Sequence, residues 1–247
     1  MTELPHDHII PYETSGKTKK EQVAEMFDRI AARYDLMNRV LSGRTDIAWR
    51  KKAIKMLKKY QPQQLLDIAT GTGDLALTAC KILHPQHITG VHISTQMLEV
   101  GKQKIAKEGL SDKITLQPGD SENLQFSNNQ FDAATAAFGV RNFEHLEKGL
   151  SEMLRVLKPG GQLLIIEFSR PRPGVFKGLY QLYMTVVAPQ IAGMLKQNKE
   201  AYQYLNKSAK AFPEREDFTA ILTKVGFKNA KYKALTFGIC CIYTAEK

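Results

Sequence analysis

The sequence predicts an α/β fold: a mostly parallel sheet with helices on both faces, in a Rossmann-like, doubly wound arrangement. Three observations predict it. From Gln64 onward, short apolar runs alternate with amphipathic stretches. The first run, "QLLDIA", meets a glycine-rich turn, "TGTGD". A later run, "QLLIIEF" (162–168), is apolar almost throughout, as a strand covered on both faces requires.

The elements follow in order. Met1–Gln22 is polar and is expected to form a flexible arm. Val23, Met26, Phe27, Ile30 and Tyr34 recur at three- and four-residue steps, so a helix is predicted there. A second helix, about 46–60, sets Trp49, Ala53 and Leu57 on one stripe opposite lysines. "LALTACKIL" (75–83) is predicted helical and "HITGVHI" (87–93) a strand. "STQMLEVGKQKIAKEGL" (94–110) follows as a helix, with Ser94 or Thr95 as N-cap and Gly109 near its end. "KITLQPGD" and "FDAATAAF" are the next strands, then a helix from about Glu144 to Leu157. Lys158-Pro159-Gly160-Gly161 signals a turn.

Beyond Arg170 the rhythm breaks. The stretch 170–212 contains Pro171, Pro173 and the aromatic-rich "VFKGLYQLYMTVVAPQIAGML". It is expected to be a helical cap inserted after a strand's carboxyl end, where ligands bind in such folds. "REDFTAILTKVGF" returns to amphipathic helix. "AKYKALTFGICCIYTAEK" forms two final strands joined at Thr236–Gly238. One domain is expected over 23–247, with helices over 23–60 preceding the sheet.

Composition narrows the function classes. The 247 residues are 43% hydrophobic, enough for one large core. Lys plus Arg is 35 against 25 for Asp plus Glu, a net charge of +10. Such a surface suits an anionic lipid, nucleic acid or anionic ligand. No basic patch with interleaved aromatics is present, so nucleic acid is not expected. No apolar run approaches the length of a membrane span, and the opening residues lack a signal-peptide core. A cytoplasmic protein is expected, with peripheral membrane contact and a homodimer both open. Cys80, Cys240 and Cys241 form no CxxC pair and are expected to be packing residues. No metal is expected.

The glycine loop carries the chemistry. Gly71 and Gly73 let the chain turn sharply against a ligand. Asp67 before the turn and Asp74 after it would repel a pyrophosphate but suit a ligand bearing an ammonium and a sulfonium. This favours S-adenosylmethionine over NAD. An acid some 20 residues on would normally accept the ribose hydroxyls. His92 stands there, followed by Ile93, and neutral imidazole accepts one bond where a carboxylate accepts two. Asp120 with Ser121 is placed to meet the adenine amino group. Met97 and Phe138 are candidates to sandwich its ring.

"YDLMNRVLSGRTDIAW" (34–49) and "RVLKPGGQLLIIEFS" (155–169) resemble the two signatures of the ubiquinone/menaquinone biosynthesis C-methyltransferases, the UbiE/MenG family. "FGVRN" (138–142) is similar too. The resemblance covers Val23–Lys247. It implies a seven-stranded class I methyltransferase with an antiparallel last strand. It implies methylation of a ring carbon of a polyprenylated quinol, with demethylmenaquinol favoured over the benzoquinol precursor of ubiquinone. Carried over, the cofactor contacts are Thr72, the site held by His92, and Asp120 with Ser121. Three positions depart from the family: Asp46 for His, His92 for an acid, and Ala137 for Ser. The second and third leave open a non-catalytic partner with weakened cofactor binding. A methyltransferase for a small phenol, a sterol-like lipid or RNA also stays open, as does a dehydrogenase using NAD.

Methylating a quinol carbon needs a deprotonated neighbouring hydroxyl, a stabilised oxyanion and an aligned methyl. Arg141 is the candidate for the oxyanion, directly or through a water. Asn142 is placed to orient it. Tyr34 is expected to close the site, and Tyr183 and Tyr202 to contact the quinol. The apolar stretch Val175–Leu195, flanked by Lys177 and Lys196, is expected to face lipid.

Overall fold

The structure is a computed structural model that describes residues 4–13, 15–171 and 199–247, without the side chains of Lys199 and Tyr202. The chain opens with α1 (Lys19–Leu41) and α2 (Thr45–Leu57). Thr18 caps α1 in a reciprocal capping box with Glu21. The alternating part runs β1 (Gln64–Ile68), α3 (Asp74–Leu83), β2 (His87–His92), α4 (Thr95–Lys107), β3 (Ile114–Pro118), β4 (Phe131–Ala137), α5 (Leu146–Val156) and β5 (Leu157–Phe168). It ends with α6 (Lys199–Ala211), α7 (Glu216–Val225), β6 (Lys228–Leu235) and β7 (Cys240–Glu246).

The strands form one seven-stranded sheet in the order β3-β2-β1-β4-β5-β7-β6. Every pair from β3 to β5 is parallel, and β7 runs antiparallel to both β5 and β6. Strand order reverses between β1 and β4, so a crevice opens outside their carboxyl ends. One face of the sheet packs Leu146, Leu150, Met153, Phe218 and Leu222 of α5 and α7. The other packs Trp49, Ile54, Leu75, Leu98 and Ile105 of α2, α3 and α4. A third cluster holds Val23, Met26, Phe27 and Ile30 of α1 against Met97 and Tyr204. The predicted stripes of α1 and α2 are therefore the buried ones.

The structure departs from the sequence reading in two places. The polar arm is anchored: α1 begins at Lys19, and His6, Lys19 and Gln22 are buried. Lys19 Nζ donates to the His6 carbonyl at 2.7 Å, and Gln22 accepts from the Tyr12 N–H at 2.8 Å. Lys158–Gly161 lies within β5, where the register with β4 shifts between Phe131 and Ala133, so the turn signal marks a bulge. The cap over 170–212 falls largely outside the described residues; its described end is α6. Ser94 does cap α4, accepting from Met97 N, and all three cysteines are buried and free.

Gly101 fixes the spacing between α4 and the glycine loop. A Cβ there would stand 2.5 Å from Leu116 Cδ1 and 3.1 Å from the Thr72 carbonyl carbon. Alanine would otherwise favour the helix by about 1 kcal/mol. Gly101→Ala is expected to cost a net of about 1–2 kcal/mol in urea unfolding, because overpacking outweighs propensity. An unchanged midpoint would show that this contact has slack.

Candidate active site

The crevice is formed by backbone that only certain residues tolerate. At the end of β1 the chain passes through Ala69, Gly71 and Gly73 with φ of 54°, 58° and 77°; at the end of β4, Phe138 holds φ 59°. Left-handed values at Ala69 and Phe138 are strained positions flanking the switch point. Between them the chains nearly touch: a Cβ on Gly139 would lie 2.5 Å from the Ala69 Cβ. The space enclosed is about 900 Å³, open mouth included. That is within the range of small-molecule sites.

Most predicted cofactor residues meet here. Asp67, Gly71, Thr72, His92 and Ile93 border one side, and Met97, Asp120, Ser121, Ala137 and Phe138 the other. Gly73 does not: it precedes α3, and its α-carbon faces Ile105 and Leu116 in the core. Met97 and Phe138 belong to different apolar clusters, Met97 beneath α1 and Phe138 against Trp49 and Phe168. Both border the crevice.

Each carboxylate has a distinct state. Asp67 is fully buried and accepts from the Thr70 hydroxyl at 2.6 Å and the Thr135 hydroxyl at 2.8 Å. Burial pushes its pKa up to about 6, against the pull of those bonds. Asp74 is held by Arg39 of α1 and, at 2.6 Å, by Lys104 of α4, with Arg50 at 4.0 Å. Its charge is therefore matched inside the protein. Asp74 also borders the crevice, so its cationic partners stand beside any ligand there. Asp46, the departure from the family's His, is buried and pairs with Arg39 and Arg50, so a carboxylate here completes the same network.

Helix α1 roofs the crevice, a feature the sequence did not signal. Lys20, Val23, Phe27 and Tyr34 face it. Tyr34 lies over Gly71, with its Cε1 4.0 Å from where a Cβ would stand, and edges onto Phe27. Asp35 accepts from the Thr72 hydroxyl at 2.6 Å and from Lys104 at 2.6 Å. Lys20 Nζ sits 2.6 Å from Asp120. Two predicted ligand contacts, Thr72 and Asp120, thus have partners from α1.

His92 is buried and its Nδ1 accepts from the Ser94 N–H at 2.9 Å. The ring proton of the neutral form is then on Nε2, which makes His92 a donor where a carboxylate would accept. Burial depresses its pKa to about 4.

Arg141 does not border the crevice with its guanidinium, contrary to expectation. It is 3% exposed, and Nη1 donates to Glu167 at 2.8 Å and to the Phe138 carbonyl at 2.5 Å. Burial raises the Glu167 pKa, against the opposing pull of Arg141. Nε of Arg141 and Oδ1 of Asn142 are buried with no partner among the described residues, and Asn142 does face the crevice. Tyr183 and the Tyr202 side chain lie outside the described residues. Glu122, Glu144 and His145 bring ligand-type atoms within 4.8 Å of one another. Glu122 Oε1, however, accepts from the Glu144 and His145 N–H groups, at 2.7 and 3.0 Å, so the grouping is explained as a backbone cap.

A profile of the ubiE/COQ5 methyltransferase family matches residues 15–247. The chain is similar to the demethylmenaquinone methyltransferase of Bacteroides fragilis, with 48% identity over 243 residues, 98% of this chain and 99% of that protein. It is similar to the ubiquinone/menaquinone biosynthesis C-methyltransferase UbiE of Geotalea daltonii, with 45% identity covering 93% of this chain and 97% of that one. Among solved structures, a SAM-dependent methyltransferase from Thermotoga maritima, a possible histamine N-methyltransferase, superposes with a TM-score of 0.64. It is 21% identical and covers 90% of this chain and 99% of its own, a likeness of fold.

The charges of the site lead to two expected outcomes. Lys20→Met is expected to free Asp120 and tighten S-adenosylmethionine binding several-fold at low salt, with a smaller gain at high salt. Equal or weaker affinity by calorimetry would mean that the ion pair does not compete with the ligand. The second outcome concerns acid stability. His6 and His92 are held neutral, at about 3 and about 4, while an unfolded chain protonates both near 6.5. The unfolded state therefore binds more protons below pH 6.5, and each group removes up to about 1.4 kcal/mol of stability per pH unit down to its folded pKa. His92→Gln is expected to flatten the stability profile between pH 6.5 and 4 relative to the parent. Superimposable profiles would refute the assignment.

Proposed function

Because the chain belongs to the ubiE/COQ5 methyltransferase family, we propose that it methylates a ring carbon of a polyprenylated quinol, converting demethylmenaquinol to menaquinol with S-adenosylmethionine. The observation that carries the substrate is near-full-length similarity to demethylmenaquinone methyltransferases, at 48% and 41% identity. The crevice supports the methyl donor independently. Asp67, Asp120, Glu122 and Glu144 face it against Lys20 and Arg50, a balance that suits a cationic ligand and opposes a diphosphate. This also argues against the NAD reading.

S-adenosylmethionine, when bound, supplies a methyl already activated on a sulfonium. The chain's own residues then have four tasks. Asp67, braced by Thr70 and Thr135, sits at the base of the loop to orient the cationic end. Asp120 and Ser121 meet the adenine amino group once Lys20 yields. His92 offers its Nε2–H to a ribose oxygen, and Ile93 and Met97 supply apolar walls. Tyr34 closes over Gly71 and excludes water.

On the acceptor side, the quinol hydroxyl must lose its proton to water so that ring electrons form the new carbon–carbon bond; the ring C–H proton leaves afterwards. Arg141 stays protonated throughout, since its pKa is too high for a direct base. Its Nη1 is fixed by Glu167, which leaves the unpartnered Nε–H to stabilise the developing oxyanion or to hold the accepting water. Asn142 Oδ1, facing the crevice, is positioned to accept from the hydroxyl. The quinol's tail requires access from a lipid surface, and the net charge of +10 favours an anionic one. No helix among the described residues is long and apolar enough to cross a membrane. Peripheral attachment therefore accompanies this reading.

Transfer of labelled methyl from S-adenosylmethionine to a short-chain demethylmenaquinol tests the proposal, with a benzoquinol analogue assayed beside it. Faster turnover of the benzoquinol would reassign the substrate; turnover of neither would support a non-catalytic role. Arg141→Ala, at saturating S-adenosylmethionine, is expected to lower kcat by about 100-fold or more, comparable to losing an oxyanion donor. A near-normal kcat in a folded variant would remove Arg141 from the chemistry.

A further inference from the structure

We infer that Tyr204, on α6, is a further substrate-binding residue: its phenol hydroxyl, with Arg141 Nε and Asn142 Oδ1, binds the quinol hydroxyl beside the methylated carbon. The inference rests on the quinol reading above and deepens it.

Helix phase places the residue. Ala201, Tyr204 and Ser208 are buried on one stripe of α6, at steps of three and four. That stripe packs on the short turn Val140–Asn142 and on the α1 cluster containing Val23 and Phe27. Both Val23 and Phe27 also face the crevice. Tyr204 therefore stands between the roof of the cofactor site and the turn that follows β4. It is 1% exposed.

Unpaired polar atoms then converge on this spot. Buried polar atoms in folded proteins are almost always paired. Among the described residues the Tyr204 hydroxyl has no partner, and neither does Arg141 Nε or Asn142 Oδ1. These orphans come from adjacent residues of one turn and from the helix packed on that turn. Their chemistry is complementary: Arg141 Nε only donates, Asn142 Oδ1 only accepts, and a phenol does either. A ligand oxygen that begins as a hydroxyl and ends as an oxyanion needs this set. Asn142 Oδ1 accepts the hydroxyl's hydrogen bond until the proton leaves to water. Tyr204 and Arg141 then donate to the oxygen that remains.

Electrostatics agree. The charges of Arg141 and Glu167 both act on the Tyr204 phenol, and burial holds it well above its ordinary pKa. Tyr204 thus remains a protonated donor across the working range and is not the base. A purely structural role is a poor fit. Phenylalanine would fill the same space without an unsatisfied hydroxyl, so the oxygen adds nothing to the unliganded fold. Tyr202, two positions earlier and singled out from the sequence, lies at a different phase of the same helix.

The experiment is Tyr204→Phe, compared with the parent for kcat and KM with short-chain demethylmenaquinol, S-adenosylmethionine affinity, thermal midpoint and pH–rate profile. The expected result is a kcat/KM at least tenfold lower and a basic shift of the rising limb of kcat. Cofactor affinity should stay within twofold, and the midpoint should be equal or higher. Unchanged kcat/KM would overturn the inference. So would a loss of activity accompanied by a lower midpoint and weaker cofactor binding, the signature of a packing residue. Parent enzyme inactive on the quinol would sink the reading beneath it as well, which separates the two failures. If Tyr204→Phe does not fold, site-specific 3-fluorotyrosine at 204 keeps the shape while making the phenol a stronger donor. The same limb should then move acidic, and an unmoved limb would refute the role.

Discussion

One carboxylate ties the site together. Asp74 is the first residue of α3, just past the glycine loop, and it pairs with Arg39 of α1 and Lys104 of α4 with Arg50 of α2 nearby. Lys104 also reaches Asp35, which holds Thr72. Four helices thus converge on a loop whose backbone is in left-handed conformations. A carboxylate at the N-terminus of α3 also complements that helix's dipole. Because the pairs are partly buried and shared, they are worth more together than isolated surface ion pairs, which contribute about 0–1 kcal/mol. Together with the Lys20–Asp120 pair and the bonds of Asp28 to Ser94 and Gln96, the network holds α1 over the crevice.

The same logic at greater depth governs Arg141 and Glu167. Both are at most 3% exposed and form a direct pair at 2.8 Å. A buried pair of this kind contributes little net stability, while removing one partner alone typically costs about 3–5 kcal/mol. Its value here is positional. It locks a guanidinium beneath the turn after β4, with its buried Nε–H unspent among the described residues. The Arg141 guanidinium also lies 5.3 Å from the Phe168 ring centre, which restricts it further. A fixed donor needs little reorganisation when charge develops, which is the condition for electrostatic stabilisation to act.

What the sequence disclosed and what it hid divide along physical lines. Strands and the loop were readable because period-two and period-3.6 patterns are local, and because Gly71 in a strand-to-helix turn has few other uses. The N-cap Ser94 and the joint at Thr236–Gly238 were readable for the same reason. Pairings were not. Arg39 and Asp74 are 35 residues apart, Lys20 and Asp120 are 100 apart, and Arg141 and Glu167 are 26 apart. No periodicity connects them. Asp74 was therefore read as a charge offered to a ligand, when it is a charge already matched. The arm misled for a related reason: a polar stretch without apolar rhythm looks solvated, yet Lys19 and Gln22 bury by bonding to backbone groups close by. On α6 the sequence reading named Tyr202 and passed over Tyr204, because composition does not give phase and it is phase that buries Tyr204.

His92 is the most informative departure, because the structure fixes the direction of its hydrogen bonds. With Nδ1 accepting the Ser94 N–H, the neutral ring carries its proton on Nε2 and presents a donor. A ribose hydroxyl both donates and accepts, so it binds a donor as readily as an acceptor, but only one bond is available where a carboxylate offers two. The ring is also held edge-on by Phe27 of α1, 5.6 Å between centres. A carboxylate at this position would lose that contact and stand as a charge in a dry site beneath an aromatic roof. The histidine and the roof therefore belong together: α1 lies over position 92 and keeps it dry, and a neutral ring tolerates that dryness where an unpaired anion would not.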